Sequence, residues 1–258
     1  MLKRISASKT ILVPIAQLGR NFMPYTEDLK GKYIKYVDIV KVSSLPYQTG
    51  TPFTSMKGFM TLADVLGNAY PIYSMPLAKF DIEQNLGARQ AVNRIVSWQN
   101  SYIDITDPAD IGKVAVVVVW YDHLAYSAED STCDISIDSF EVPIVSQTFK
   151  NLFPDNRTMV GKRFRQLTFA APTVTPSLAT GVTLTEARDL YVSLYKGNFA
   201  IFDTLPLIEL YNVLEIEQLE YRNIVFDFTN SFVLQGGNGS GTSLVGKTVF
   251  LNATYENR

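Results

Sequence analysis

Apolar residues fall in short runs along this chain, at 10–15, 33–42, 70–77, 94–105, 114–121 and 135–144, with a similar series after residue 160. Runs of this length between turn formers predict strands, not helices. Val114-Ala-Val-Val-Val-Val-Trp-Tyr121 is β-branched or aromatic almost throughout, which predicts a strand buried on both faces. Tyr102-Ile-Asp-Ile-Thr and Asp134-Ile-Ser-Ile-Asp alternate with period two and predict half-exposed strands. Turn clusters separate them, among them Ser43-Ser-Leu-Pro46, Asp107-Pro-Ala-Asp110 and the glycine-rich run 236–241. Two stretches have helical composition, 85–96 and 183–195, the second opening with Thr183-Leu-Thr-Glu186, the spacing of a capping box. Both are expected as short helices carried in loops.

The chain repeats itself. At an offset of 130, Asn21 and Pro24 meet Asn151 and Pro154, and Pro46 meets Pro176. On the same offset four dipeptides coincide: Gly31-Lys32 with Gly161-Lys162, Gly67-Asn68 with Gly197-Asn198, Pro76-Leu77 with Pro206-Leu207, and Asn100-Ser101 with Asn230-Ser231. One step away, Val13-Pro14-Ile15 meets Val142-Pro143-Ile144. Ordinary composition gives fewer than about one identical dipeptide by chance in such a comparison. Gly112-Lys113-Val114 corresponds to Gly246-Lys247-Thr248, so the second half carries four extra residues in the intervening loop. What is retained is mostly Gly, Pro and Asn, a turn framework with no shared active site. The expected organisation is all-β: an N-terminal arm at 1–9, then two tandem β-domains at 10–138 and 139–258, each of about eight strands.

Composition narrows the chemistry. The 258 residues carry 23 Lys+Arg against 25 Asp+Glu, a net charge of −2, which disfavours a protein that works by neutralising nucleic-acid phosphates. One cysteine, Cys133, forbids an internal disulfide, and one histidine, His123, cannot supply the imidazoles of a two-barrel metalloenzyme. His123 reads as a turn histidine, and no nucleophile motif accompanies it. The glycine-rich run has no phosphate-loop lysine and reads as a flexible loop. The Met1-Leu-Lys-Arg start has no apolar h-region behind it and no run approaches a membrane span, so neither a secretory precursor nor an integral membrane protein is expected.

Two duplicated β-domains in a compact chain, few helices, one cysteine and no catalytic set together resemble the double jelly-roll major capsid proteins of tailless icosahedral phages with an internal membrane, corticovirus-like and finnlakevirus-like. The resemblance covers the whole chain and is one of architecture. It implies two jelly-roll domains, no enzymatic activity and location in the virion after synthesis in the host cytoplasm. It also implies a homotrimeric, pseudo-hexameric capsomer that meets neighbouring capsomers and a vertex protein in an icosahedral shell. By the same resemblance the basic start, Lys3, Arg4 and Lys9, is an arm for a neighbour or the underlying lipid. Asp104, Asp107 and Asp110 cluster about one turn and are the calcium candidates, with turn formation as the competing reading. The rival function is a tandem β-sandwich that binds carbohydrate or a receptor, since Tyr (14) and Phe (15) are plentiful. Tyr33, Tyr36, Tyr70, Tyr73, Phe226 and Phe228 fall within strand patterns, however, which favours core or interface roles.

Overall fold

The computed structural model describes residues 2–65, 69–81, 89–126, 135–154, 163–171, 179–211, 224–225, 227, 229–239 and 241–256. The protein is all-β. Its first half contains β1 (Leu2–Pro14), β2 (Gly19–Phe22), β3 (Tyr33–Val40), β4 (Thr51–Pro52), β5 (Gly58–Asp64), β6 (Ile72–Pro76), β7 (Gln90–Ile105) and β8 (Lys113–Tyr126). The second contains β9 (Ile135–Pro143), β10 (Asn151–Leu152), β11 (Arg163–Ala170), β12 (Thr180–Gly181), β13 (Leu190–Lys196), β14 (Phe199–Pro206), β15 (Ile224–Val225), β16 (Phe232–Gln235) and β17 (Lys247–Glu256).

The chain forms two compact units. One comprises Ser8–Leu45 and Gly50–His123; the other comprises Leu124–Arg258 together with Met1–Ala7 and Pro46–Thr49. The division falls ahead of the 138/139 boundary expected from sequence, because β9 pairs along its length with β17 and so opens the second unit. In the first unit the strand order is β1-β8-β3-β7-β5-β6, with β2 also on β7 and β4 on β8. In the second unit β9, β17, β11 and β15 are successive neighbours, as are β10, β16, β13 and β14, and β12 lies on β17. The ladders are mostly antiparallel, and the short β4–β8 and β12–β17 pairs are parallel.

The repeat in sequence is a repeat in register. Ile34 lies opposite Arg94 and Phe164 opposite Ile224, and Phe22 lies opposite Tyr102 and Leu152 opposite Phe232; all four partners move by 130 positions. The retained dipeptides have backbone jobs. The Ser101 hydroxyl donates to Ser97 O and accepts from Ala63 N–H, bridging the bulge where β5 and β7 lose register. Ser231 does the same with Asp227 O and Tyr195 N–H, at the same 2.7 and 3.1 Å. Pro76 and Pro206 end their strands with φ of −53° and lead into the 3-10 turns Leu77–Phe80 and Leu207–Leu210. Ser74 and Thr204 both adopt positive φ, and each N–H donates to a hydroxyl on the neighbouring strand, Thr61 Oγ1 and Ser193 Oγ, at 3.1 Å. Two non-glycine residues in this costly conformation at matched positions mark a bulge that the fold requires.

The β8 expectation holds in detail, since every residue from Ala115 to Tyr121 is buried. The helical expectations fail. Within 85–96, the described segment from Gln90 is part of β7, because its apolar residues meet β3 across a ladder and tertiary pairing overrides local propensity. Within 183–195 the only helical piece is the 3-10 turn Glu186–Asp189 ahead of β13. The capping box itself forms: Thr183 N–H donates to Glu186 Oε2 and Glu186 N–H to Thr183 Oγ1. It closes one turn and no helix follows, because the next residues are drawn into β13.

Candidate functional site

Surface groups that repeat in both halves are the first candidates for a shared role. After β1 and after β9 the chain turns around a buried asparagine. Asn21 Oδ1 accepts from Ala16 and Gln17 N–H, and its Nδ2 donates to Gln17 and Gly19 O. Asn151 accepts from Val145 and Ser146 N–H and donates to Ser146 and Phe149 O. The amide side chain thus satisfies four backbone groups that a tight turn would otherwise leave unpaired. Beside each asparagine a cation covers an aromatic ring: Arg20 stands 4.7 Å from the centroid of Tyr102, and Lys150 stands 4.3 Å from that of Phe232. Gly112 and Gly246 donate to Ile15 and Ile144 O, setting the neighbouring Ile111 and Val245 beside these turns.

Apolar side chains are exposed at both turns. The first presents Leu18, Phe22 and Ile111; the second presents Val145, Phe149, Leu152 and Val245, with Val145 73% and Phe149 74% exposed. Phe22 and Leu152 hold the same repeat position, as do Ile111 and Val245. Isolated exposed apolar residues need no explanation; here the same two repeat positions are exposed in both halves.

Two of the three calcium candidates, Asp107 and Asp110, are engaged by other donors. Asp107 caps the 3-10 turn Pro108–Asp110 through Ala109 N–H at 2.9 Å and accepts from Lys57 Nζ at 2.7 Å. Those two donors hold its carboxyl below its ordinary value, and Lys57 is raised by the same bond. Asp110 is buried, accepting from Lys113 Nζ at 2.7 Å and from the Ser55 hydroxyl. Asp104 sits within β7, opposite Arg20 and Phe59. Among the described residues no three His, Cys, Asp or Glu side chains converge as a metal site. The turn is therefore held by lysines and backbone amides.

The segment expected as an N-terminal arm for a neighbour or lipid is strand from Leu2. Lys3 and Arg4 lie in the leading residues of β1, which belong to the second unit, where β1 neighbours β14. Lys9 pairs with Asp28 at 2.8 Å. His123 lies in β8 near its end, while Cys133, Phe226 and Phe228 lie outside the described residues. Tyr70 and Tyr73 face solvent with ring centroids 5.3 Å apart.

Sequence reasoning missed a buried ionic cluster in the first unit. Asp38 Oδ2 on β3 accepts from Arg89 Nη1 and from Trp120 Nε1, each at 2.9 Å, and the guanidinium carbon lies 4.8 Å from the Trp120 ring centroid. Its signal was a lone aspartate inside the apolar run Tyr33 to Val42, a position that burial forbids without a partner. The second half has Thr168 and Thr254 at the positions matching Asp38 and Trp120, so the cluster is not part of the duplicated framework. In the second unit, burial alone would raise Glu186, but Lys247 and the Thr183 donors outweigh it and leave the carboxyl lowered. Comparison with family models, curated proteins and solved structures found no match.

Proposed function

We propose that this protein is a shell-forming structural protein, a double jelly-roll major capsid protein whose three copies build a pseudo-hexameric capsomer. One observation carries the reading, the twofold occurrence of a single strand order. Four neighbours run β1-β8-β3-β7 in the first half and β9-β17-β11-β15 in the second; the other four are β2-β7-β5-β6 and β10-β16-β13-β14. In the first half β7 serves in both sets, pairing β3 with its leading part and β2 and β5 with its trailing part. This pairing supports a long hairpin wound into two four-stranded sheets, the plan of a jelly roll. Duplicated barrels let three chains offer six similar corners, so closed threefold symmetry occupies a sixfold-like lattice position. The apolar turns repeated at Phe22 and Leu152 and at Ile111 and Val245 give both halves comparable contact surfaces.

The test is absolute mass by light scattering, followed by electron microscopy of concentrated protein. Three 28.9 kDa chains give about 87 kDa, and closed rings with sixfold outline are the expected images. A monomer at every concentration overturns the proposal. The second reading, a carbohydrate- or receptor-binding module, has the exposed Tyr70–Tyr73 pair in its favour. Glycan-array binding that disappears in Tyr70→Ala and Tyr73→Ala would establish it instead.

A further inference from the structure

β6 and β14 are the same strand of the repeat. Ile72, Tyr73, Ser74, Met75 and Pro76 match Phe202, Asp203, Thr204, Leu205 and Pro206, with the same positive-φ residue and the same break in register against the preceding strand. Their outer edges differ. β14 has β13 on one side and β1 on the other, whereas β6 ends its sheet, paired among the described residues with β5 alone. Exposure follows: Leu205 and Pro206 are buried and Thr204 is half-buried, while Ser74 and Pro76 are exposed and Tyr73 is 69% exposed. Tyr47, from Pro46–Thr49 in the same unit, also lies beside Thr204 and Ser193. One edge of the duplicated fold is thus covered by β1, and its twin has no strand on it among the described residues.

We propose that β6 is the receptor edge for a second copy of this chain, completed by the segment leading into that copy's β9, as β1 completes β14 within one chain. An open strand edge recruits a strand through its unpaired backbone groups, and soluble proteins leave one bare at the cost of self-association. The occupant follows from the repeat: β1 covers β14, and the counterpart of β1 is β9. Aligned through Val13-Pro14-Ile15 and Val142-Pro143-Ile144, the β1 residues 2–7 correspond to 131–136. The contact is heterologous, each copy giving one strand and receiving one, so it closes a ring or runs on. In a ring of three, β9 on β6 between chains occurs three times, once for each β1 on β14 within a chain. The inference rests on the capsomer reading for the number of copies in the ring.

The single native cysteine supplies the reporter. Cys133 lies in the donor segment, at the position matching Arg4. Tyr73→Cys and, separately, Met75→Cys are oxidised mildly and run on non-reducing gels, with Val65→Cys as an exposed control off the edge and Cys133→Ser versions of each; light scattering is read on the same samples. The expected result is a ladder of two and three linked chains for the two β6 variants, absent in Val65→Cys and lost with Cys133→Ser. A trimer by mass with no Cys133-dependent ladder at either position overturns strand addition and leaves the capsomer reading standing. A Cys133 disulfide closed within one chain also overturns it, because the donor segment then stays at home. A monomer overturns both.

Discussion

Removing Asp38 leaves Arg89 charged in a place with almost no water. The two side chains are 1% and 4% exposed and 2.9 Å apart, and the same carboxylate oxygen holds the Trp120 indole N–H. At an effective dielectric of about 20, the attraction at that separation is roughly 6 kcal/mol. Desolvating both ions costs several kcal/mol each, so the intact cluster contributes little net stability. Breaking it is another matter. Asp38→Ala or Arg89→Met removes one charge of the pair while the other stays buried, and is expected to cost about 3–5 kcal/mol, a large share of the roughly 5–15 kcal/mol that holds a domain folded. Arg89→Met with Asp38→Leu removes both charges, and its loss is expected to fall well short of the sum of the single losses. Urea unfolding followed by tryptophan fluorescence reads this, because Trp120 lies in the cluster; each single variant should lower the midpoint by more than about 1 M. Losses that add to within about 0.5 kcal/mol in the double-mutant cycle refute the reasoning, since additivity means that the groups do not depend on each other.

The duplicated turns predict matched losses: Asn21→Ala and Asn151→Ala each abandon four backbone groups and are expected to cost about 2–4 kcal/mol by urea unfolding, and an effect at one position alone would break the equivalence. Thr61→Val and Ser193→Ala leave the Ser74 and Thr204 N–H groups without their hydroxyl acceptors, an expected cost of about 1–3 kcal/mol each, with faster amide exchange at residues 74 and 204 by NMR. Glu186 has a folded pKa below its unfolded value of 4.5. Its contribution is therefore fully present above pH 4.5 and is lost as pH falls through the lower folded value, so Glu186→Gln should flatten the acid limb of the stability profile and leave neutral pH nearly unchanged in slope. Gly58 has φ of 153°, and a Cβ there would lie 2.4 Å from Asp104 O, so Gly58→Ala should lower the melting temperature by several degrees, whereas Gly241→Ala, in open space, should not.

Strand character was legible in residues such as Val114 to Tyr121, because β-branched side chains and period-two alternation report a pleated backbone whatever lies around it. The duplication was legible for a related reason: Asn21 and Asn151, Ser101 and Ser231, and Pro76 and Pro206 serve local backbone needs that few other residues meet, so the letters themselves persist. Other features depended on partners distant in the chain. Gln90 to Val96 has helical composition, and only the ladder with β3 made it strand. Asp38, Arg89 and Trp120 are separated by 51 and 31 residues, and nothing local to any of them announces the other two. Lys57 and Lys113 turned Asp107 and Asp110 from an acidic cluster into ion pairs, since charges of opposite sign come together by folding and not by spacing. The basic start has the composition of a solvated tail, yet it is strand beside β14. An unpaired edge attracts backbone, and backbone hydrogen bonding carries no signature in the side chains that sequence records.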